Sequence, residues 1–269
     1  MKFLMNCLFC KRDSSTSRSV EHIIPESLGN KEYILPKEMV CDKCNQYFAI
    51  KIEKPLLEQP YFKHLRYRSK IENKKRNVPT LDVMAIGLRP MKVELSFDKK
   101  DGFSITIPDD VKDFFSSPIR KIIIPILDAP KDNNLIVSKF LAKLANEALI
   151  HQALGDEKLL EELWNHPGVD RLKQYARYGQ NVSFWPYHQR RIYSEGTIFR
   201  DTRLGENKFE ILHEFTFLYP DESSLYFIVC IMGIEYVINM NAPEINGYSK
   251  WLVTNDNKSP LDDINEVKL

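Results

Sequence analysis

Cys7-x-x-Cys10, then Ser19-Val20-Glu21-His22-Ile23-Ile24-Pro25-Glu26-Ser27-Leu28-Gly29, then Cys41-x-x-Cys44-Asn45 follow one another in the first quarter of the chain, and their reading decides how that quarter folds. Each Cys-x-x-Cys pair can set two thiolates on one ion through a tight knuckle. Two pairs complete a closed tetrahedral site of the kind zinc takes as a structural ion. Paired in this way, cysteines indicate a metal site more often than disulfides. The fifth cysteine, Cys230, stands alone in an apolar run. The gap from Cys10 to Cys41 exceeds ordinary zinc-ribbon spacing, so something sizeable is inserted between the knuckles. A module of about 60 residues has a marginal core and gains from such a staple.

The inserted segment has its own pattern. Lys11–Ser19 reads as a polar loop, Ser19–Ile24 as a short strand ending at Pro25, and Ser27–Pro36 as a turn region around Leu28-Gly29-Asn30. Met39–Val40 is the expected second strand. From Asp42, Tyr47, Ile50 and Lys54 recur at helical spacing as far as Pro55. The order is strand, loop, strand, helix.

Cys-x-x-Cys, Glu-His-Ile-Ile-Pro and Cys-x-x-Cys-Asn together resemble the zinc-bound members of the HNH (ββα-metal) endonuclease family, over about residues 4–58. The resemblance implies a general base, His22, that takes a proton from the attacking water. It also implies that Glu21 and Asn45 hold a divalent cation, while Cys7, Cys10, Cys41 and Cys44 hold a structural zinc. A histidine titrates near neutrality and suits the first role. An acid and an amide leave coordination positions open for water and phosphate, which suits Mg²⁺ or Mn²⁺. Glu21 stands where many members carry Asp. The family's middle Asn, expected near 36–37, is absent, since Pro36 and Lys37 occupy those positions and Asn30 is the nearest Asn. A plainer reading makes Asn45 a helix cap and Glu21 a solvated charge.

The remaining chain gives class more than chemistry. Residues 1–80 hold 16 Lys/Arg against 9 Asp/Glu, whereas the whole chain is nearly neutral at +1. A basic end suits a polyanion. Lys51 and Lys54, on the expected helix, and Arg66 and Arg68, in a stretch read as a basic linker over 63–80, are the candidate phosphate contacts. His64 is weighed as an extra ligand and read as a linker residue. Beyond 81, a hairpin is expected at Met91–Phe97 and Phe103–Ile107, a buried strand at Lys121–Leu127, and an amphipathic helix at Leu135–Leu154 with two shorter helices after it. Strands are expected at Val182–Tyr187, Arg191–Phe199, Lys208–Leu218, Leu225–Ile231 and Glu235–Met240.

The expected architecture is α+β: a zinc-stabilised ββα-metal module over 1–62, the linker, and a larger α+β domain over 81–269 for targeting, oligomerisation or sensing. Met1–Asn6 shows no leader-like apolar run, and the longest apolar stretch, Leu225–Ile238, is broken by Gly233 and Glu235, so a soluble cytoplasmic protein without a membrane partner is expected. The leading functional expectation is a metal-dependent endonuclease on double-stranded DNA. A homo-oligomer and a small-molecule activator are carried as further partners, and a role in bacterial defence by analogy only. The alternative is a non-catalytic zinc module that binds nucleic acid or a protein.

Overall fold

A computed structural model describes residues 6–107, 112–180, 182–197, 199–200, 208–209 and 213–262. Met1–Met5 of the expected leader-free start, position 198 of the expected strand Arg191–Phe199 and positions 210–212 of Lys208–Leu218 lie outside the described residues. The fold class is α+β, with a four-cysteine cluster near the N-terminus and a larger α+β region after it.

Contacts divide the chain into two compact units. One gathers Met1–Ile24, Asn30–Leu56 and Lys131–Leu269, and the other Pro25–Gly29 and Leu57–Pro130. This partition cuts across the boundaries read from the sequence at 62 and 80. Residues of the first knuckle, the hairpin and the C-terminal region share one unit.

In the first unit, β1 (Glu21–His22) pairs antiparallel with β2 (Ile34–Leu35). The second strand therefore lies upstream of the expected Met39–Val40. Pro36 ends it, and Glu38 adopts a left-handed φ of 74° that no strand tolerates. Met39 serves the first knuckle instead, its carbonyl accepting from Leu8 N at 2.8 Å. Helix α1 (Asp42–Phe48) passes into a π-helical turn, Ala49–Glu53, and then into α2 (Lys54–Leu57).

In the second unit, α3 (Pro60–Arg68) begins with proline at its first position, where a missing N–H costs nothing. The stretch expected as a basic linker over 63–80 is thus helical as far as Arg68, and Tyr61, Phe62, Leu65, Arg66 and Tyr67 are buried. Strands β3 (Leu81–Ile86), β4 (Pro90–Asp98), β5 (Gly102–Thr106) and β6 (Lys121–Ile123) form a sheet in the order β5-β4-β3-β6, with the short helix α4 (Lys112–Phe115) between β5 and β6. Leu81, Val83, Ala85, Val93 and Leu95 alternate onto one face and make its core with Tyr67 and Val78.

Back in the first unit, α5 (Leu135–Gln152) matches the expected helix. Asn134 caps it, its side chain accepting from Ile136 N and Val137 N. Nearly every residue from Val137 to Ile150 is buried, because neighbours surround the helix. Then come α6 (Glu157–Asn165) and α7 (Pro167–Tyr178), followed by β7 (Tyr187–Arg191), which starts where Val182–Tyr187 was expected to end. Trp185 is fully buried and Pro186 has no N–H for a ladder, which keeps the earlier residues out of the sheet. A two-residue pair, β8 (Phe199–Arg200) and β9 (Lys208–Phe209), precedes β10 (His213–Asp221), β11 (Ser224–Ile231) and β12 (Ile234–Asn239). The sheet order is β10-β11-β12-β7. Met232 and Gly233, both with positive φ, turn β11 into β12; a Cβ on Gly233 would stand 2.5 Å from the Tyr193 carbonyl. Helix α8 (Asn246–Thr254) seals this sheet, with Tyr248 and Leu252 in a core shared with Tyr226, Ile228 and Val237. Helix α5 packs on β12, α7, the π turn and β2. No helix among the described residues is long and apolar enough to cross a membrane.

Candidate active site and metal centre

The four expected ligands converge. The thiol sulfurs of Cys7, Cys10, Cys41 and Cys44 all lie within 4.8 Å of one another, and Cys10 Sγ and Cys41 Sγ are 3.6 Å apart. A tetrahedron with zinc–sulfur bonds of about 2.3 Å has an edge of about 3.8 Å, so the spacing fits one shared zinc-sized ion. All five cysteines are free thiols. The surroundings favour thiolate: Cys41 N donates to Cys7 Sγ at 3.3 Å, and Arg177 Nε donates to Cys44 Sγ at 3.2 Å. A hydrogen bond from Cys44 holds the Cys7 thiol down at about 5, and the same bond pushes Cys44 far up. Burial raises Cys41 to about 11.

Hydrogen bonds lock the β1–β2 hairpin beside this cluster. Glu21 stands opposite Leu35, and His22 opposite Ile34. Asn30, 3% exposed, spans the loop, its Nδ2 donating to Ile24 O at 2.6 Å and Tyr33 O at 3.0 Å. Its Oδ1 accepts from the backbone N–H groups of Glu32 and Tyr33, both at 3.0 Å. The chain entering β1 is held from α1. Asp42 accepts from Arg18 N and Ser19 N, and Asn45 Nδ2 donates to Val20 O at 3.2 Å. Hydrogen bonds from Ser19 hold the Asp42 carboxyl below its ordinary value. The helix N-cap is Cys41, with no side-chain cap bond, so Asn45 is not the cap. Glu21, His22 and Asn45 thus lie on two touching pieces of backbone.

Glu21 faces inward and is 5% exposed. Its Oε1 meets Lys143 Nζ at 2.7 Å, and the same ammonium reaches Glu53 Oε1 and Glu147 Oε2, each at 3.0 Å. It also donates to the carbonyls of His22 at 3.1 Å and Ile23 at 3.2 Å. Burial opposes the charge on Lys143, but Glu147, Glu21 and Glu53 outweigh it and raise its pKa well above the lysine range. Burial pushes the Glu147 carboxyl well up, against the pull of Lys143. His22 is half-buried. Among the described residues, the cysteines are the only group of three or more His, Cys, Asp or Glu side chains close enough to share an ion.

The basic candidates separate. Lys51 and Lys54 are exposed, Arg68 is half-buried, and Arg66 is 6% exposed, so Arg66 is not presented to a phosphate backbone as expected. His64 is buried on α3 with Nδ1 3.0 Å from Pro125 O, a structural contact. The sequence reading missed Asn30 as a hairpin staple, Lys143 and Glu147, and Arg177, which also stacks its guanidinium 4.0 Å from the Tyr47 ring centroid. Charged residues four apart, Lys143 and Glu147, inside an otherwise apolar helix were the available signal.

Comparison with the curated proteins and with solved structures gives no match. Residues 7–61 match the family model described as HNH endonuclease, over the segment that carries both knuckles, the hairpin and α1. The N-terminal part of this chain is thus similar to the HNH endonuclease family.

Proposed function

We propose that the chain is a divalent-metal-dependent endonuclease that hydrolyses phosphodiester bonds of double-stranded DNA. The observation that carries this reading is the hairpin and helix geometry: Asp42 and Asn45 of α1 grip residues 18–20, which sets Glu21 and His22 at a fixed point beside Asn45. His22 acts as the base that removes a proton from the attacking water. Glu21 and Asn45 would hold Mg²⁺ or Mn²⁺, which when bound supplies charge relief at the phosphate and the departing oxygen. Asn30 keeps the loop after His22 in one conformation. The cysteines hold a structural zinc, and Arg177 offsets its surplus thiolate charge. Lys51 and Lys54 are the exposed cations for backbone contact. The C-terminal region has a targeting or regulatory role, and the protein acts in the cytoplasm.

Plasmid cleavage with Mg²⁺ or Mn²⁺ tests this. Wild-type protein is expected to cut, and His22→Ala to lose activity by at least about 100-fold, the ordinary worth of a general base. Equal cutting by the two proteins overturns the assignment of the base. One observation favours a second reading, a non-catalytic zinc module that binds nucleic acid or a protein: the Glu21 carboxylate is buried against Lys143. That reading expects zinc-dependent DNA binding with no cleavage under either metal.

A further inference from the structure

We propose that Lys143 of α5 is a positioning residue for the cation site, acting through Glu21 and the backbone of β1; this rests on the nuclease reading above. Lys143 lies 121 residues from His22 and outside the segment that matches the HNH family. Its side chain is wholly buried, and its ammonium sits among five oxygens: the carboxylates of Glu21, Glu53 and Glu147 and the carbonyls of His22 and Ile23. An ammonium offers three protons, so the five oxygens share them and the cluster acts as one unit. Two consequences follow from this geometry. The Glu21 carboxylate is fixed through Oε1 before any cation arrives, so no rotamer freedom is lost on binding. The carbonyls on either side of the His22–Ile23 peptide are tied to the same nitrogen, so the base and the acid cannot shift independently.

The arrangement is not a simple ion pair. With the Glu147 carboxyl pushed up by burial, Glu21 and Glu53 still give the one ammonium a surplus of negative charge in a largely buried place, which is costly unless another cation shares the cluster. A divalent ion at Glu21 would relieve that surplus. Lys143 thus holds the carboxylate in place, and the neighbouring Glu53 carboxylate adds negative charge that favours the incoming metal. Groups that orient a metal-binding side chain in this way are commonly worth 10–100-fold in affinity or activity.

The test uses full-length, zinc-loaded protein and Mn²⁺ alone as the probe. Lys143→Met by itself strands the buried carboxyls of Glu21 and Glu147, so the informative variant is Lys143→Met with Glu147→Gln, which removes one of the two along with the ammonium. Mn²⁺ binding, read from the electron paramagnetic resonance signal of the free ion, is expected to weaken by about 10-fold or more. The Mn²⁺ concentration for half-maximal cleavage is expected to rise in step, with KM for DNA unchanged. Unchanged or tighter Mn²⁺ binding overturns the proposal. So does a double variant that loses its zinc or its cooperative melt, because the cluster is then structural only. His22→Ala, measured alongside, separates the two failures. If it cuts like wild type, the His22 and Glu21 site on which this proposal rests is misassigned; if it is dead while the double variant binds Mn²⁺ normally, only the role of Lys143 fails.

Discussion

Asn30 shows how one buried side chain can define a loop. It satisfies two carbonyls and two N–H groups across the hairpin. Asn30→Ala removes the partner of all four groups, and a loss of about 1–3 kcal/mol is expected in denaturant unfolding. Asn30→Asp keeps the acceptor, loses both donors, and should fall between alanine and wild type. Lys143→Met alone is expected to cost about 3–5 kcal/mol, as removal of one member of a buried ion cluster does. Part of that should return with Glu147→Gln. Asp42 gives a pH dependence. Its folded pKa is depressed by Ser19, so its contribution is complete above the unfolded value near 3.9 and fades as pH falls through the folded value. The gap in unfolding midpoint between wild type and Asp42→Ala should therefore close in acid, below pH about 4; a gap that widens there contradicts the assigned role. The four cysteines were legible in the sequence because each Cys-x-x-Cys pair depends on local spacing. Asn30 was visible but looked out of register, since a staple is recognised by the backbone it spans and not by its position in a motif. Lys143 was illegible, because nothing local links position 143 to position 21.

Elements read well where packing was one-sided and poorly where it was not. Helix α5 and the β4–β5 and β11–β12 hairpins follow their periodicity and turn residues closely. The basic stretch did not: Lys63, Arg66 and Arg68 suggested solvent, yet Tyr61, Phe62, Leu65 and Tyr67 bury a whole helix around them. Met39–Val40 has strand composition but is used by a knuckle. The knuckles themselves lean on distant elements. Lys11 Nζ donates to the last turn of α6 at Trp164 O, 2.6 Å, and Arg177 of α7 donates to Cys44. Two outcomes are expected. Zinc removal by a strong chelator should lower the melting temperature of the full chain, because α1 starts on Cys41 with no side-chain cap of its own. Arg177→Leu should weaken zinc retention by about 10-fold in competition with a chromogenic chelator, as loss of an outer partner does, while Arg171→Leu, on the same helix, should not.

At the scale of the molecule, the first unit is discontinuous. It takes Met1–Ile24 and Asn30–Leu56 from one end of the sequence and Lys131–Leu269 from the other. The motifs of the first quarter suggest a zinc-stapled module over 1–62; spacing of ligands reports which residues can share an ion, not which distant side chains share a core. Tyr33 packs edge-on against His151 of α5 and Phe215 of β10, so the hairpin has apolar as well as ionic partners far along the chain. A fragment of residues 1–62 with zinc is therefore expected to lack a cooperative thermal transition that the full chain shows; a sharp transition in the fragment would sink this view. The bond from Lys143 to His22 O also has a meaning in time. Ribosomes add about 5–20 residues per second, and 121 residues separate the two partners. The hairpin thus waits on the order of ten seconds for its ammonium, and longer for Arg177. On the nuclease reading proposed above, a frame that closes only late in synthesis keeps the half-made chain from cutting.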